Sequence, residues 1–198
     1  MARRDEILES ALQLVQRDGI GALSVRGVAA AAGIGATTLR HHFPSQADLY
    51  QAVAVRLVGN TLDDLNIADD SADPAERLSN CLLQFLPQPA NQALALGGWF
   101  ELYRLALGPD PVPAVHGILT SGHGSSAESL AGWFSTLSEQ GHLAPGDISS
   151  HVTRALALID GLHLNLLLDP DRVDLDAARE AVRWFASASV QPGATASN

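Results

Sequence analysis

The chain has 198 residues and a formal net charge of −10, from 22 acidic side chains and 12 arginines, with no lysine. Residues 1–60 hold six arginines against five acidic residues, whereas residues 61–198 hold six against seventeen. This balance argues against a protein that coats nucleic acid non-specifically, and it restricts any DNA contact to the N-terminal part.

The N-terminus gives no sign of export. Its first residues, MARRDEILE, are charged and amphipathic and lack the apolar stretch of a signal peptide. No apolar run in the chain reaches the ~18 residues of a membrane span. The sequence therefore predicts a cytoplasmic protein.

Apolar residues recur with helical spacing along the whole chain, which predicts an all-α fold of about nine helices. Ser24 is predicted to cap the second helix, Ser45 with Asp48 to open the fourth, and Asp73 followed by Pro74 to open the fifth. Residues 66–73 are predicted to be a linker and residues 188–198 a disordered tail. The predicted helices cover about residues 5–19, 25–32, 35–42, 45–66, 73–86, 91–107, 114–140, 147–168 and 175–187.

Residues Ser24 to Tyr50 contain the most specific pattern of the chain. A short apolar helix ends at Gly33, and a second short helix from about Gly35 to His42 ends at Phe43. Two helices joined by a glycine-containing turn are typical of a DNA-binding helix-turn-helix. The second helix is predicted to turn Leu39 and Phe43 into the core, and to present outward Ala36, Thr37, Arg40 and His41.

At these residues the chain resembles the TetR family of transcriptional regulators. About twelve positions match the family pattern in order and spacing: Ser24, Arg26, Val28-Ala29, Ala32-Gly33-Ile34-Gly35, Leu39-Arg40-His41-His42-Phe43, Ser45-Gln46 and Asp48-Leu49. The resemblance implies a three-helix DNA-binding domain (1–47), a ligand-binding and dimerisation domain of bundled helices (48–187), and an operator that is pseudo-palindromic double-stranded DNA. The candidate DNA-binding residues are Ser24, Arg26, Gly35, Ala36, Thr37, Thr38, Arg40, His41, His42 and Gln46.

Three positions depart from the family pattern. Arg40 replaces a usual aromatic residue, Gly35 a usual serine and Gln46 a usual lysine. Tyrosine and lysine at these places commonly hold phosphates in the family. Arg40 could replace both, because a guanidinium binds phosphate or a guanine edge through two hydrogen bonds.

Cys81 is the single cysteine and lies within the apolar fifth helix, so no intrachain disulfide can form. This fits a reducing compartment. We expect a small buried hydrophobe, because a redox sensor would need exposure and a depressed thiol pKa.

Aromatic and polar side chains of the later helices are candidates for a small-molecule pocket, since pockets between bundled helices are apolar with a few polar groups. For most of the aromatic residues, core packing is the plainer interpretation. The TetR resemblance implies an effector site in this part of the chain. The candidate ligand-binding residues are Trp99, Phe100, Tyr103, His116, His123, Trp133, Asp160 and His163. The pairs His116/His123 and Asp160/His163 could each share a helix face, but no dense histidine or cysteine cluster supports zinc. No metal or other cofactor is predicted.

The last two long helices are apolar on most of their faces, which predicts pairing with a second copy as a four-helix bundle. Together with the TetR resemblance, the sequence predicts a homodimeric, ligand-responsive repressor that an effector releases from its operator. Three alternatives stay open: an activator of the same fold, a helical ligand-binding protein with a weakened DNA-binding domain, and an enzyme on a helical scaffold. The enzyme interpretation lacks any recognisable catalytic motif.

Overall fold

The computed structural model describes residues 3–18, 22–58, 62–88 and 92–191. Within these residues the fold is all-α, and a single β-bridge, between Leu143 and Val190, is the one extended pairing. The helices are α1 (Arg3–Asp18), α2 (Val25–Ala31), α3 (Ala36–His42), α4 (Gln46–Val58), α5 (Pro74–Leu83), α6 (Gln92–Leu107), α7 (Pro113–Glu139), α8 (Ile148–Leu168) and α9 (Leu175–Ser189).

The predicted fourth helix is too long by a turn or more, because α4 ends at Val58 and residues 62–68 are not helical. The backbone N–H of Asp63 donates to Oε1 of Gln84 at 2.9 Å, and Nε2 of Gln84 donates to the Asp63 carbonyl at 2.7 Å. Leu65 has a φ of 44°, a left-handed conformation that no α-helix contains. Long-range hydrogen bonds thus override the apolar spacing of this stretch.

The predicted linker is a packed turn. Ile67 is 4% exposed, and its carbonyl accepts a 2.7 Å hydrogen bond from Nη1 of the buried Arg77. The prediction of a linker was wrong, because the acidic composition of residues 66–73 does not reveal that Ile67 is buried.

The first residues of the predicted C-terminal tail are part of the fold. Helix α9 continues to Ser189, and the backbone N–H of Gln191 donates to the His142 carbonyl at 2.8 Å. Residues 188–191 therefore belong to the fold, which corrects the predicted start of the tail. The remainder of that prediction, 192–198, lies outside the described residues.

The chain divides into two compact units, one formed by residues 1–60 and 91–123 and the other by residues 61–90 and 124–198. We call them the N-terminal unit and the C-terminal unit. The boundary predicted between residues 47 and 48 stays a prediction, and the N-terminal unit continues past it through α4, α6 and the first part of α7.

Each unit has its own apolar core. In the N-terminal unit, residues of α1 to α4 pack with Leu102, Leu105 and Val115. In the C-terminal unit, α9 packs against both α5 and α8. None of the described helices combines the length and apolar character needed to cross a bilayer.

Candidate DNA-binding surface and effector-site residues

Helix α2 begins as the sequence predicts. Oγ of Ser24 accepts a 3.0 Å hydrogen bond from the backbone N–H of Gly27, which satisfies one of the free amides at the helix start. A Cβ built on Gly27 would lie 2.7 Å from the Ala22 carbonyl oxygen, closer than real Cβ atoms approach backbone. Glycine at this position therefore lets α2 pack against the chain that precedes it.

The turn between α2 and α3 depends on Gly33, which has a φ of 63°. This left-handed conformation ends α2, and the backbone N–H of Ile34 then donates to the Ala29 carbonyl at 2.9 Å. The turn thereby fixes the direction in which α3 leaves.

Helix α3 has one buried face and one exposed face, as the sequence predicts. Leu39 is 0% exposed and Phe43, directly after the helix, is 1% exposed. The remaining candidate side chains on α3 are exposed, apart from the half-buried His42; the exposed ones are Ala36, Thr37, Thr38, Arg40 and His41. A surface of small, hydroxyl, guanidinium and imidazole groups is suited to the edges of base pairs in a major groove.

The candidate cations of this surface are available to a ligand. Among the described residues, Arg26 and Arg40 form no ion pair, and both are exposed. The rings of His41 and His42 meet edge to face, with centroids 5.3 Å apart. Nε2 of Gln46, which stands where lysine is usual, donates to the Tyr50 hydroxyl at 2.8 Å, so this side chain is oriented by α4 itself.

Helix α4 begins with a reciprocal cap, as predicted. Oδ2 of Asp48 accepts from the backbone N–H of Ser45 at 2.8 Å and from its hydroxyl at 2.7 Å, while the backbone N–H of Asp48 donates to Oγ of Ser45 at 3.1 Å. These hydrogen bonds from Ser45 lower the pKa of Asp48. The cap fixes the chain between α3 and α4.

Five of the candidate ligand-binding residues belong to the N-terminal unit. On α6, the Tyr103 ring lies 6.5 Å from the Trp99 ring and 6.0 Å from the Phe100 ring, centroid to centroid. Trp99 and Phe100 are half-buried, and Trp99 also packs against the core of this unit. His116 and His123, on the first part of α7, are exposed.

The other three candidates belong to the C-terminal unit, where Trp133 is a core residue. It is 1% exposed, its Nε1 donates to Oδ1 of Asp64 at 2.7 Å, and its ring meets the edge of Phe85 at 6.3 Å. Nε2 of His163 lies 2.9 Å from the Phe85 carbonyl, whereas Asp160 is exposed. Sequence reasoning missed Asp64 because it included this residue in a longer fourth helix.

The C-terminal helices α8 and α9 also have exposed apolar side chains. Leu162 and Leu166 face inward, with 8% and 3% exposure. By contrast Leu164, Leu168 and Trp184 are 42%, 74% and 71% exposed. We call these three the α8–α9 patch. Trp184 was not singled out from the sequence, although it falls between the buried positions Val182 and Ala186 and thus off the core face.

Cys81 is the buried small hydrophobe that the sequence predicts. It is 0% exposed, its Sγ donates to the Asp64 carbonyl at 3.3 Å, and burial raises the pKa of the thiol to about 12. A thiol this hard to ionise is unsuited to redox sensing. In the described part of the chain, no three His, Cys, Asp or Glu side chains are grouped so as to hold a metal ion.

An exposed recognition helix, set by a glycine turn in an all-α fold, defines the class of helix-turn-helix transcriptional regulators. Two family models match the chain: that of bacterial regulatory proteins of the tetR family over residues 7–53, and that of the C-terminal part of BetI-type transcriptional repressors over residues 74–190. The chain belongs to the TetR family of transcriptional regulators.

Individual relatives agree with this assignment. The HTH-type transcriptional regulator PksA of Bacillus subtilis is 29% identical over 183 residues, which cover 91% of this chain and 86% of PksA. A solved TetR transcription regulator of Haloarcula marismortui superposes with a TM-score of 0.79 at 19% identity, over 96% of this chain and 98% of that one. A transcriptional regulator of Saccharomonospora viridis, solved in complex with choline, superposes with a TM-score of 0.78 at 25% identity and the same coverage.

Proposed function

We propose that this regulator is a repressor that binds a pseudo-palindromic operator as a homodimer and leaves it when a small-molecule effector binds. The observation that carries the DNA-binding part is the exposed face of α3 with Arg40; neither Arg40 nor the exposed Arg26 on α2 forms an ion pair among the described residues. Arg40 would contact bases or phosphates, while Ser24, Arg26, Thr37 and Gln46 would hold the backbone of the duplex.

Dimerisation is proposed through α8 and α9, because the α8–α9 patch leaves two leucines and a tryptophan partly exposed in the described chain. Burying this apolar surface against a twofold copy is favourable by roughly 25 cal/mol per Å². A twofold dimer would also match the symmetry of a palindromic operator, whose half-sites lie ~34–36 Å apart for one helical turn.

The effector is proposed to contact the aromatic side chains of α6, with polar contacts from His116 and His123 on the first part of α7. The choline complex of the Saccharomonospora viridis regulator supports a small organic ligand for this fold. An effector that favours a separation of the two recognition helices different from the half-site spacing would lower operator affinity. DNA must then lower effector affinity by the same factor.

A gel shift with the DNA that flanks its own gene tests the proposal. The protein should retard that fragment, light scattering should show a dimer, and a panel of ligands that starts with choline and planar aromatic compounds should include one that reverses the shift. A protein that binds this DNA only when the effector is present would contradict release by the effector. No binding to any flanking fragment would leave a helical ligand-binding protein.

A further inference from the structure

Helix α1 begins with two adjacent arginines, Arg3 and Arg4, which make different contacts. Nη1 of Arg3 is held by Oε2 of Glu6 at 2.8 Å, one turn along the same helix. Arg4 forms no ion pair among the described residues; instead its Cζ lies 4.8 Å from the centroid of the Phe43 ring. A guanidinium at this distance from an aromatic face is attracted by the ring electrons.

This contact fixes a cation at the end of the recognition helix. Phe43 directly follows α3, and its backbone N–H donates to the Leu39 carbonyl at 2.8 Å, so its ring is held by α3. Phe43 is 1% exposed whereas Arg4 is exposed, so Arg4 covers a buried ring and still faces solvent.

Arg4 donates no hydrogen bond among the described residues, so its N–H groups are available to an anion. A guanidinium has five N–H donors and no acceptor. Arg4 does border a surface groove between α1 and α4 that contains three carboxylates, from Asp5, Glu9 and Asp48. The Asp48 carboxylate is already engaged by Ser45, and neither of the other two pairs with Arg4.

The charge distribution of residues 1–60 makes an unpaired cation near α3 important for binding DNA. Residues 1–60 hold six arginines against five acidic side chains, and residues 43–46 include no cation. Gln46 follows Phe43 by three residues, at the start of α4, so Arg4 packs beside a segment that has no cation of its own.

We infer that Arg4 is a DNA-phosphate-binding residue, positioned by its cation–π contact with Phe43. The inference rests on the proposed binding of operator DNA. A phosphate contact carries no sequence information, so Arg4 contributes alike to operator and to unrelated duplex.

The test measures the dissociation constant for operator and for unrelated DNA over a series of salt concentrations, for the parent, Arg4→Ala, Arg4→Lys and Arg3→Ala. Each phosphate contact contributes about 0.9 to the slope of log affinity against log salt, so Arg4→Ala should lower the slope of a dimer by about 1.8. Its operator affinity at low salt should fall about tenfold, by a similar factor on both DNAs. Arg4→Lys should keep most of the slope, because it keeps the charge. Arg3→Ala, the matched control, should leave the slope unchanged.

Thermal melts separate this role from a structural one. If Arg4→Ala lowers the melting temperature while the salt slope of the folded protein equals that of the parent, Arg4 only covers Phe43 and the inference is overturned. Equal slopes for Arg4→Ala and Arg3→Ala overturn it as well. A parent protein that binds no DNA would contradict the proposed function itself, a result distinct from a parent that binds with a slope insensitive to Arg4.

Discussion

In the helix-turn-helix region the burial of individual side chains follows from sequence spacing, whereas in the C-terminal unit it does not. In α2 and α3, seven residues each, the exposed and buried faces follow directly from sequence spacing, and the candidate contacts other than the half-buried His42 are exposed. In the C-terminal unit, Trp133 is buried and Trp184 is exposed, although both are tryptophans on apolar helices. Short helices ended by glycine and proline leave few packing solutions, whereas long apolar helices leave many.

The same contrast exists within a single helix. Leu162 and Leu164 are two residues apart on α8, but one faces the core and the other the solvent. Apolar character alone therefore predicts that several faces of α8 are buried. It does not predict which leucine packs against the core of its own chain.

The largest effect is expected from a charge in the core of α8. Leu162→Arg should cost about 3–5 kcal/mol and unfold the C-terminal unit, because it buries a charge without a partner. Leu164→Arg, the same change at an exposed position, should leave a folded monomer. Circular dichroism and light scattering measure the two outcomes. A stable dimer of Leu164→Arg would contradict dimerisation through the α8–α9 patch, and a folded Leu162→Arg would contradict the assigned core.

A loss of stability of similar size, without a buried charge, is expected at Trp133. Truncation to alanine should cost about 3–5 kcal/mol, since it leaves a cavity beside Phe85 and removes the hydrogen bond to Asp64. Trp99→Ala is the matched variant on α6 and should change the effector response more than the stability. Chemical denaturation run beside effector-titrated gel shifts distinguishes them. If Trp133→Ala keeps the parent stability and alters only the effector response, Trp133 belongs to the ligand site.

Arg40 tests the helix-turn-helix region. Arg40→Ala should weaken operator binding by about 1–3 kcal/mol, as expected for loss of a guanidinium contact, and leave the melting temperature unchanged because the side chain is exposed. Arg17→Ala is a suitable control, since Arg17 is exposed but paired with Asp18 on α1. Fluorescence anisotropy with labelled operator gives both affinities. Parent-like binding by Arg40→Ala would remove Arg40 from the DNA contacts.

The smallest effect concerns two helix caps, one in each unit. Hydrogen bonds from Ser45 lower the pKa of Asp48, and hydrogen bonds from Ser150 lower that of Asp147. A carboxyl group with a lowered pKa stabilises the fold above its ordinary pKa of about 4, and this stabilisation is lost as the pH falls through the lowered value. Asp48→Asn and Asp147→Asn should therefore be slightly less stable than the parent at pH 7 and equal to it in strong acid. Thermal melts from pH 7 to pH 2 test this, and a difference that persists in acid would mean that the carboxylate charge is not responsible.

The sequence by itself determined the family, the all-α class, the helix-turn-helix and most helix starts. These features depend on local chemistry: Ser24, Asp73 and Asp147 cap their helices through side-chain oxygens, and Gly33 adopts a left-handed turn. The inward direction of Leu39 and Phe43 also followed from spacing along α3. All of these interactions join residues that are close in the chain, so their pattern is visible in the sequence.

Only the tertiary structure decided where α4 ends, which tryptophan is buried and what Arg4 contacts. The bonds responsible join residues far apart in sequence: Asp63 with Gln84, Asp64 with Trp133, and Arg4 with Phe43. Helical periodicity predicts that a residue lies on an apolar face, but it does not predict which distant residue packs against that face. For the same reason the sequence predicted an apolar pair of C-terminal helices, and the structure was needed to separate the leucines of the core from those of the α8–α9 patch.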